Sequence, residues 1–214
     1  MDIITPENYK CVNDAILFCH TFNKNIDDNL LSLISNYKKL IFSNYESLKI
    51  AIKWNNKLHE IEDQNDYKRA KFNKSIKKLP STLTYISLGD SFNNLINLLP
   101  RQLNYLNTGD NFNKKVDNLC QLKKVRLGNK FDKNIDYLPN SLNALSLGFT
   151  FNKKVNNLST SLKKIKLGFY FDKPLIKLPK KLNKVVFINS RFYNRKLPRM
   201  KHDDIIELKF KYKC

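Results

Sequence analysis

The residues from which chemistry could be built in this 214-residue chain are three histidines, four cysteines, five glycines and a dense set of lysines. His20, His59 and His202 stand far apart. His202-Asp203-Asp204 has the residue types of an acid–base or metal site, but no second ligand pair lies nearby in sequence, and a solvated loop accounts for it. Cys11, Cys19, Cys120 and Cys214 form no CxxC pair and have no histidine at ligand spacing. That pattern fits reduced thiols in an intracellular chain rather than a zinc site or a disulfide framework. The glycines do not spell a phosphate loop, and no nucleophile has an identifiable base. The expectation is therefore no catalytic residue, no metal, no cofactor and no enzymatic activity.

What remains is a set of side chains at regular places. They are Tyr85 and Ser87, Tyr105 and Asn107, Lys124 and Arg126, Ala144 and Ser146, Lys164 and Lys166, and Lys184 and Val186. Tyrosines beside clustered cations can anchor an acidic protein partner. The same types can also stack and attract single-stranded nucleic acid. Which chemistry is available depends on the elements that hold these residues together.

The charge is uneven. Residues 1–70 carry 9 Lys/Arg against 10 Asp/Glu, while residues 71–214 carry 30 against 9, out of a net +20. A basic region of this kind attracts polyanions. Composition offers a second cause. The chain is rich in Lys, Asn, Ile, Phe and Tyr and has only four Ala, as AT-rich coding bias produces. Lys114, Lys133, Lys153 and Lys173 recur on a different side from Lys124 and Lys164, so the charge wraps the molecule rather than lining one groove. The longest purely apolar runs, such as Ala15 to Cys19, are far too short to span a membrane. Met1 to Lys10 lacks the layout of a secretory signal. The expected compartment is the cytoplasm, a host's cytoplasm if the source is viral.

The elements follow from a repeat. Phe72, Phe92, Phe112, Phe131, Phe151, Phe171 and Phe192 are separated by 20, 20, 19, 20, 20 and 21 residues. A fixed period of this size means a stacked array. Leu83, Leu103, Leu122, Leu142, Leu162 and Leu182 open the copies. Ile86, Leu106, Val125, Leu145, Ile165 and Val185 follow three residues on, then Leu88, Thr108, Leu127, Leu147, Leu167 and Phe187 after two more. The last two columns have period 2, the mark of a strand with one buried face. Thr108 breaks its column and is a weak point in the core.

All five glycines fall directly after the strand, at 89, 109, 128, 148 and 168, where a turn costly for other residues is expected. An Asn or Asp follows each phenylalanine, placed to bond amides of its own turn or the next coil. Leu-Pro corners, such as Leu79-Pro80 and Leu138-Pro139, stop strand pairing before the next copy. One copy is thus a strand, a glycine turn, an aromatic return and a corner. About seven coils at roughly 4.8 Å each make a rod of roughly 34 Å with one continuous core. The predicted fold is mainly β: a leucine-rich-repeat-like solenoid of about seven 20-residue coils with a parallel sheet, plus an irregular N-terminal cap.

"LPSTLTYISLGDSFNNLI" (79–96) and "LPNSLNALSLGFTFNKKV" (138–155) resemble the FNIP repeat family, typical of amoebae and their large DNA viruses. The resemblance covers about residues 71–198. Cys120 and Ser159 depart from it where proline is expected. It implies a β-rich scaffold, usually without enzymatic activity, and names no ligand.

Residues 1–70 form a separate N-terminal region with three readings. "ILFCHTFNKNI" (16–26) resembles "ISLGDSFNNLI" (86–96), and "YKKLIFS" (37–43) resembles "LKKIKLG" (162–168), as degenerate coils would. Residues 26–37 and 48–54 resemble the opening and close of an F-box, which implies docking to a Skp1-type adaptor. A helix-rich cap is the third, with Ile50, Trp54, Leu58 and Ile61 on one helical face. At the other end Ile206, Leu208, Phe210 and Tyr212 alternate with charges as a closing strand, Ile206 and Leu208 continuing the columns of Val185 and Phe187. Residues 71–214 are therefore read as the repeat solenoid. The expected function is a scaffold binding another protein, an acidic one, through its exposed sheet face. The alternatives are a ubiquitin-ligase substrate receptor and non-specific nucleic-acid binding.

Overall fold

A computed structural model describes residues 8–42, 69–117, 119 and 121–188, together with the strand backbone at 207–211. The fold is a β-solenoid with one ten-stranded sheet whose spatial order equals the chain order. The strands are β1 (Tyr9–Val12), β2 (Ala15–Phe18), β3 (Lys39–Phe42), β4 (Tyr85–Ser87), β5 (Tyr105–Asn107), β6 (Lys124–Arg126), β7 (Ala144–Ser146), β8 (Lys164–Leu167), β9 (Lys184–Ile188) and β10 (Glu207–Lys211). The nine strands from β2 onward are parallel, and β1 folds back antiparallel on β2. That hairpin occupies the N-terminal edge, which would otherwise offer a row of free backbone groups. Its turn uses Asn13 at φ 52°, a left-handed conformation that Asn tolerates.

The core is a set of stacked columns. Ile16, Leu40, Ile86, Leu106, Val125, Leu145, Ile165 and Val185 pair in register across the sheet and are buried. Behind them runs the phenylalanine column. Ring centroids of Phe22, Phe72, Phe92, Phe112, Phe131, Phe151 and Phe171 follow one another at 6.3, 6.1, 6.2, 6.1, 6.1 and 6.2 Å. Each ring stabilises by roughly 2–3 kcal/mol, and only because neighbouring coils cover it. Phe192 lies outside the described residues.

A polar ladder runs beside this column. The Oδ1 of Asn23 accepts from the amide of Asn73 at 2.9 Å, Asn73 from Asn93 at 2.9 Å, and Asn93 from Asn113 at 2.9 Å. Asn113 then accepts from Asp132, Asp132 from Asn152 and Asn152 from Asp172, each at 3.1 Å. Every side chain thus satisfies an amide of the next coil, one of the two options the sequence allows.

The glycine column has two causes. Gly89 and Gly109 sit at φ +75° and +77°, as a costly turn predicts. At Gly128, Gly148 and Gly168 φ is not left-handed. There a Cβ would run into the carbonyl oxygen of the glycine one coil back. Backbones of successive coils touch at this corner, so close approach replaces conformational freedom as the reason.

Two expected weak points are handled differently. Thr108 is fully buried, and its Oγ1 lies 3.5 Å from the Arg126 carbonyl, too long for a good hydroxyl bond. Ser159, in place of proline, is buried with Oγ at 2.9 and 3.0 Å from the carbonyls of Asn140 and Leu142, and it accepts from the Ser161 amide at 3.2 Å. A hydroxyl anchors this corner where a proline ring stands at Pro80, Pro100, Pro139 and Pro179. Cys120 lies outside the described residues.

β2 and β3 join the same sheet in register with β4, as the two resembling phrases imply. Between them lies α1 (Asp28–Ser35), capped by Asp27, whose carboxylate accepts from the Leu30 amide at 2.9 Å. Leu30 and Ile34, one turn apart, bury their side chains in the repeat core. The F-box-like opening therefore coincides with a helix whose apolar face is packed inward. Its close at 48–54, and the helical face from Ile50 to Ile61, lie outside the described residues. The closing strand corrects one register: Leu208 pairs with Val185 and Phe210 with Phe187, two residues from the alignment expected. A two-residue slip keeps every residue on its face, so alternation alone cannot choose between the two.

Candidate binding face of the sheet

In a strand with Leu, Ile or Val turned inward, the residues on either side turn outward. Parallel in-register pairing lines these up in two columns. One runs Lys39, Tyr85, Tyr105, Lys124, Ala144, Lys164, Lys184. The other runs Ile41, Ser87, Asn107, Arg126, Ser146, Lys166, Val186. The structure brings all nine expected face residues onto this one surface. It adds Lys39 and Ile41, which only the likeness of "YKKLIFS" to the later copies could have signalled.

The face changes character along its length. At the N-terminal end Ala15, Leu17, Val12 and Ile41 form a small apolar cluster separate from the main core. Lys39 is held there by Asp14 at 2.9 Å, which together with burial's smaller opposing effect leaves the Asp14 carboxyl below its ordinary value. Next come the two tyrosines. The rings of Tyr85 and Tyr105 stack with centroids 4.3 Å apart and planes 2° from parallel. Burial pushes both phenols above the ordinary tyrosine value, while the nearby Arg126 charge pulls back on each. Beside them Asn107 donates to the Ser87 hydroxyl at 3.1 Å and accepts from the Gly109 amide at 3.3 Å. Ser87 is itself buried, so it holds the amide rather than facing a partner.

β6 then presents Lys124 and Arg126, both exposed. β7 presents the small Ala144 and Ser146, and β8 presents Lys164 and Lys166. Lys184 follows in β9 and pairs in register with Glu207 of β10, while Val186 is buried at 3% exposure. No Asp or Glu stands in either column from β3 to β9. On the return side Lys153 meets Asp132 and Lys173 meets Asp172, at 2.9 and 2.8 Å.

A second exposed group was not anticipated. Phe149 and Phe169, each directly after a glycine, stack at 4.8 Å, and Tyr170 packs edge-on against both. "GFT" and "GFY", where other coils have polar pairs, are its sequence signal.

Of the three histidines, only His20 is described, and its carbonyl accepts from the Lys71 amide at 2.7 Å. His59 and His202 lie outside the described residues, as do Cys120 and Cys214. Cys11 is exposed and Cys19 is buried beside Thr21. Among the described residues no three His, Cys, Asp or Glu groups gather as metal ligands. Nor is any helix among them long and apolar enough to cross a membrane.

The family model for the FNIP Repeat matches residues 72–106, the segment from the first regular phenylalanine to β5. That segment is thus similar to the FNIP Repeat, and the fold around it is leucine-rich-repeat-like. The solenoid is similar to the crystal structure of CroV588, described as a novel circular LRR protein. The two superpose with a TM-score of 0.60 at 22% identity, over 95% of this chain and 35% of that one. This chain thus spans about a third of the length of that neighbour, and at this identity the likeness speaks for the fold. No curated protein matches the sequence. FNIP and leucine-rich repeats typically build scaffolds without catalytic activity, in keeping with a fold whose regular residues are spent on stacking.

Proposed function

We propose that this protein is a non-enzymatic scaffold that binds another protein through the outer face of its sheet. The observation that carries the reading is the pair of unbroken outward columns, centred on the stacked Tyr85 and Tyr105. Repeat solenoids present such extended surfaces for recognition. Half-buried tyrosines beside cations have the composition of binding hot spots, since they offer area and a polar tip at little entropic cost.

The test is proximity labelling with the full chain, comparing wild type with Tyr85→Ala/Tyr105→Ala and with Lys114→Gln/Lys133→Gln on the return side. Circular dichroism first establishes that each variant keeps its sheet. The reading expects the tyrosine variant to lose a defined set of neighbours that the return-side variant keeps. Identical neighbour sets for all three proteins would remove the outer face as the recognition surface.

Diffuse attraction of polyanions is the rival use of the same charge. It predicts binding that collapses at physiological salt and ignores the tyrosines.

A further inference from the structure

The residues directly after the glycines run Asp90, Asp110, Asn129, Phe149 and Phe169. They form a ridge at the corner where backbones of successive coils touch. Hydrogen bonds tie this ridge together. The Thr150 amide donates to the Asn129 carbonyl at 2.9 Å, and the Tyr170 amide to the Phe149 carbonyl at 3.0 Å. The Thr150 hydroxyl also donates to the Asn129 carbonyl, at 2.8 Å. Side chains here therefore stand on a fixed backbone.

On the ridge the rings of Phe149 and Phe169 lie 3° from parallel with centroids 4.8 Å apart, about one coil spacing. Their planes are thus stacked along the solenoid axis. Phe169 covers one face of Phe149, and Tyr170 packs edge-on against both rings. The other face of Phe149 turns toward the coil of Asn129, and among the described residues no ring meets it. Phe149 is 42% exposed, although an aromatic ring gains most when covered.

We infer that this open ring face seats one base of a single-stranded nucleic acid. The inference goes beyond the outer-face reading, since Phe149, Asn129 and Lys130 lie in neither outward column. Three adjacent groups carry it. The Phe149 face is flat and rigidly held, as a stacking platform for a base requires. The Asn129 side chain is exposed and makes no hydrogen bond among the described residues. Its amide offers one acceptor and two donors to the edge of a base lying over Phe149. Lys130 is exposed and makes no ion pair among the described residues, so its ammonium can meet the phosphate. The net charge of +20 draws a polyanion in preference to a neutral peptide. Asp110, one coil beyond Asn129, repels the phosphates of a longer stack, so the ridge takes a single base rather than a run.

Fluorescence anisotropy of labelled oligo-adenylate against the full chain, at physiological salt, tests the platform. An abasic oligomer of equal length carries the same phosphates without bases, and a neutral peptide containing tryptophan carries a ring without phosphates. Wild type is expected to bind oligo-adenylate about fivefold or more tighter than the abasic oligomer. Phe149→Leu keeps an apolar side chain but removes the ring face, and should reduce oligo-adenylate to the abasic level. Asn129→Leu keeps Phe149 and every charge but fills the seat, and should do the same without disturbing the Phe149–Phe169 stack. Lys130→Gln should weaken both nucleic probes by about threefold, whereas Lys114→Gln on the return side, with the same charge removed, should leave them nearly unchanged. Circular dichroism establishes that each variant keeps its sheet.

Equal binding of the two nucleic probes by wild type would leave only diffuse attraction and overturn the platform. So would a preference for bases that survives both leucine variants, equal effects of the two lysine variants, or no binding of oligo-adenylate. Preferred binding of the tryptophan peptide with the same Phe149 dependence would give the ridge to a protein partner, and also overturns it. The outer-face reading is decided separately by the Tyr85 and Tyr105 variant, so the two can fail independently.

Discussion

Gly128→Ala separates two explanations of the glycine column because they predict opposite signs. Gly128 does not sit at a left-handed φ, so alanine can adopt its backbone conformation. On conformational grounds alone, alanine narrows the unfolded ensemble and stabilises by ~0.4–1 kcal/mol. The packing says otherwise. The new Cβ would overlap the Gly109 carbonyl and stand 2.7 Å from the Asp110 Cα. All of these are backbone atoms, and none can rotate away. Reaching an ordinary separation requires the two coils to part by roughly 1.5–2 Å against a strand spacing of roughly 4.8 Å.

That opening reaches the contacts on either side. The Phe112 and Phe131 rings, 6.1 Å apart, would lose part of their dispersion contact. The bond from the Asp132 amide to Asn113 at 3.1 Å would lengthen beyond use. Overpacking and the lost bond together cost about 3–5 kcal/mol. Urea unfolding followed by far-UV circular dichroism measures this, with the slope compared to confirm a common transition. A Gly128→Ala protein as stable as wild type, or more stable, would refute close backbone approach as the reason for the column.

Three further outcomes are expected. Asn113→Ala removes one rung of the amide ladder and should cost about 1–2 kcal/mol in urea unfolding, whereas Asn113→Asp should be nearly neutral, since Asp132 already serves as an acceptor in the same ladder. Thr108→Val removes a buried hydroxyl whose contact with the Arg126 carbonyl is a long 3.5 Å, and should raise stability by about 1 kcal/mol; a loss would mean that the hydroxyl is well bonded. Phenolate absorbance should show Tyr85 and Tyr105 resisting ionisation past the ordinary value near 10, because burial raises both. Their raised folded values give a stabilisation fully present below the unfolded pKa and lost as pH rises above it. Alkaline unfolding should therefore become less steep in the Tyr85→Phe/Tyr105→Phe variant.

The repeat made much of the fold legible before any coordinates. Phe92, Ile86 and Asn93 recur at fixed places, so each column is reinforced by its other copies, and strands β4 to β9 fall where the period puts them. What a period cannot express is what escaped. Phe22 and Phe72 are neighbours in the ring stack although 50 residues separate them in sequence, because α1 and residues 43–68 intervene. Only local likeness could find β2 and β3. The glycine column was legible as a column but not in its cause, since approach between backbones leaves no mark on residue type. The register of β10 was ambiguous by two residues for the same kind of reason: alternation reports faces and not partners. The face residues were legible because outward positions follow from inward ones, yet the burial of Ser87 and Val186 was not, since that depends on what lies across the sheet.

The division of labour within each coil explains why the outer face can carry chemistry at all. Stacking is secured by the inward aliphatic column, the phenylalanine rings, the glycine corner and the Asn/Asp ladder. Apart from Asn107, which accepts from the Gly109 amide, none of these uses the two outward columns. A substitution at Lys124 or Ser146 leaves all four devices intact, whereas one at Phe131 or Gly128 strikes several coils at once. The outward columns are therefore free to differ from coil to coil, and they do: apolar at β2, Lys39 with Ile41 at β3, aromatic and amide at β4 and β5, cationic at β6 and β8, and small at β7 between them. Diffuse basic composition would spread lysine evenly over copies that are otherwise alike. The observed order instead places both tyrosines on adjacent strands and sets a pair of small residues between two cationic pairs.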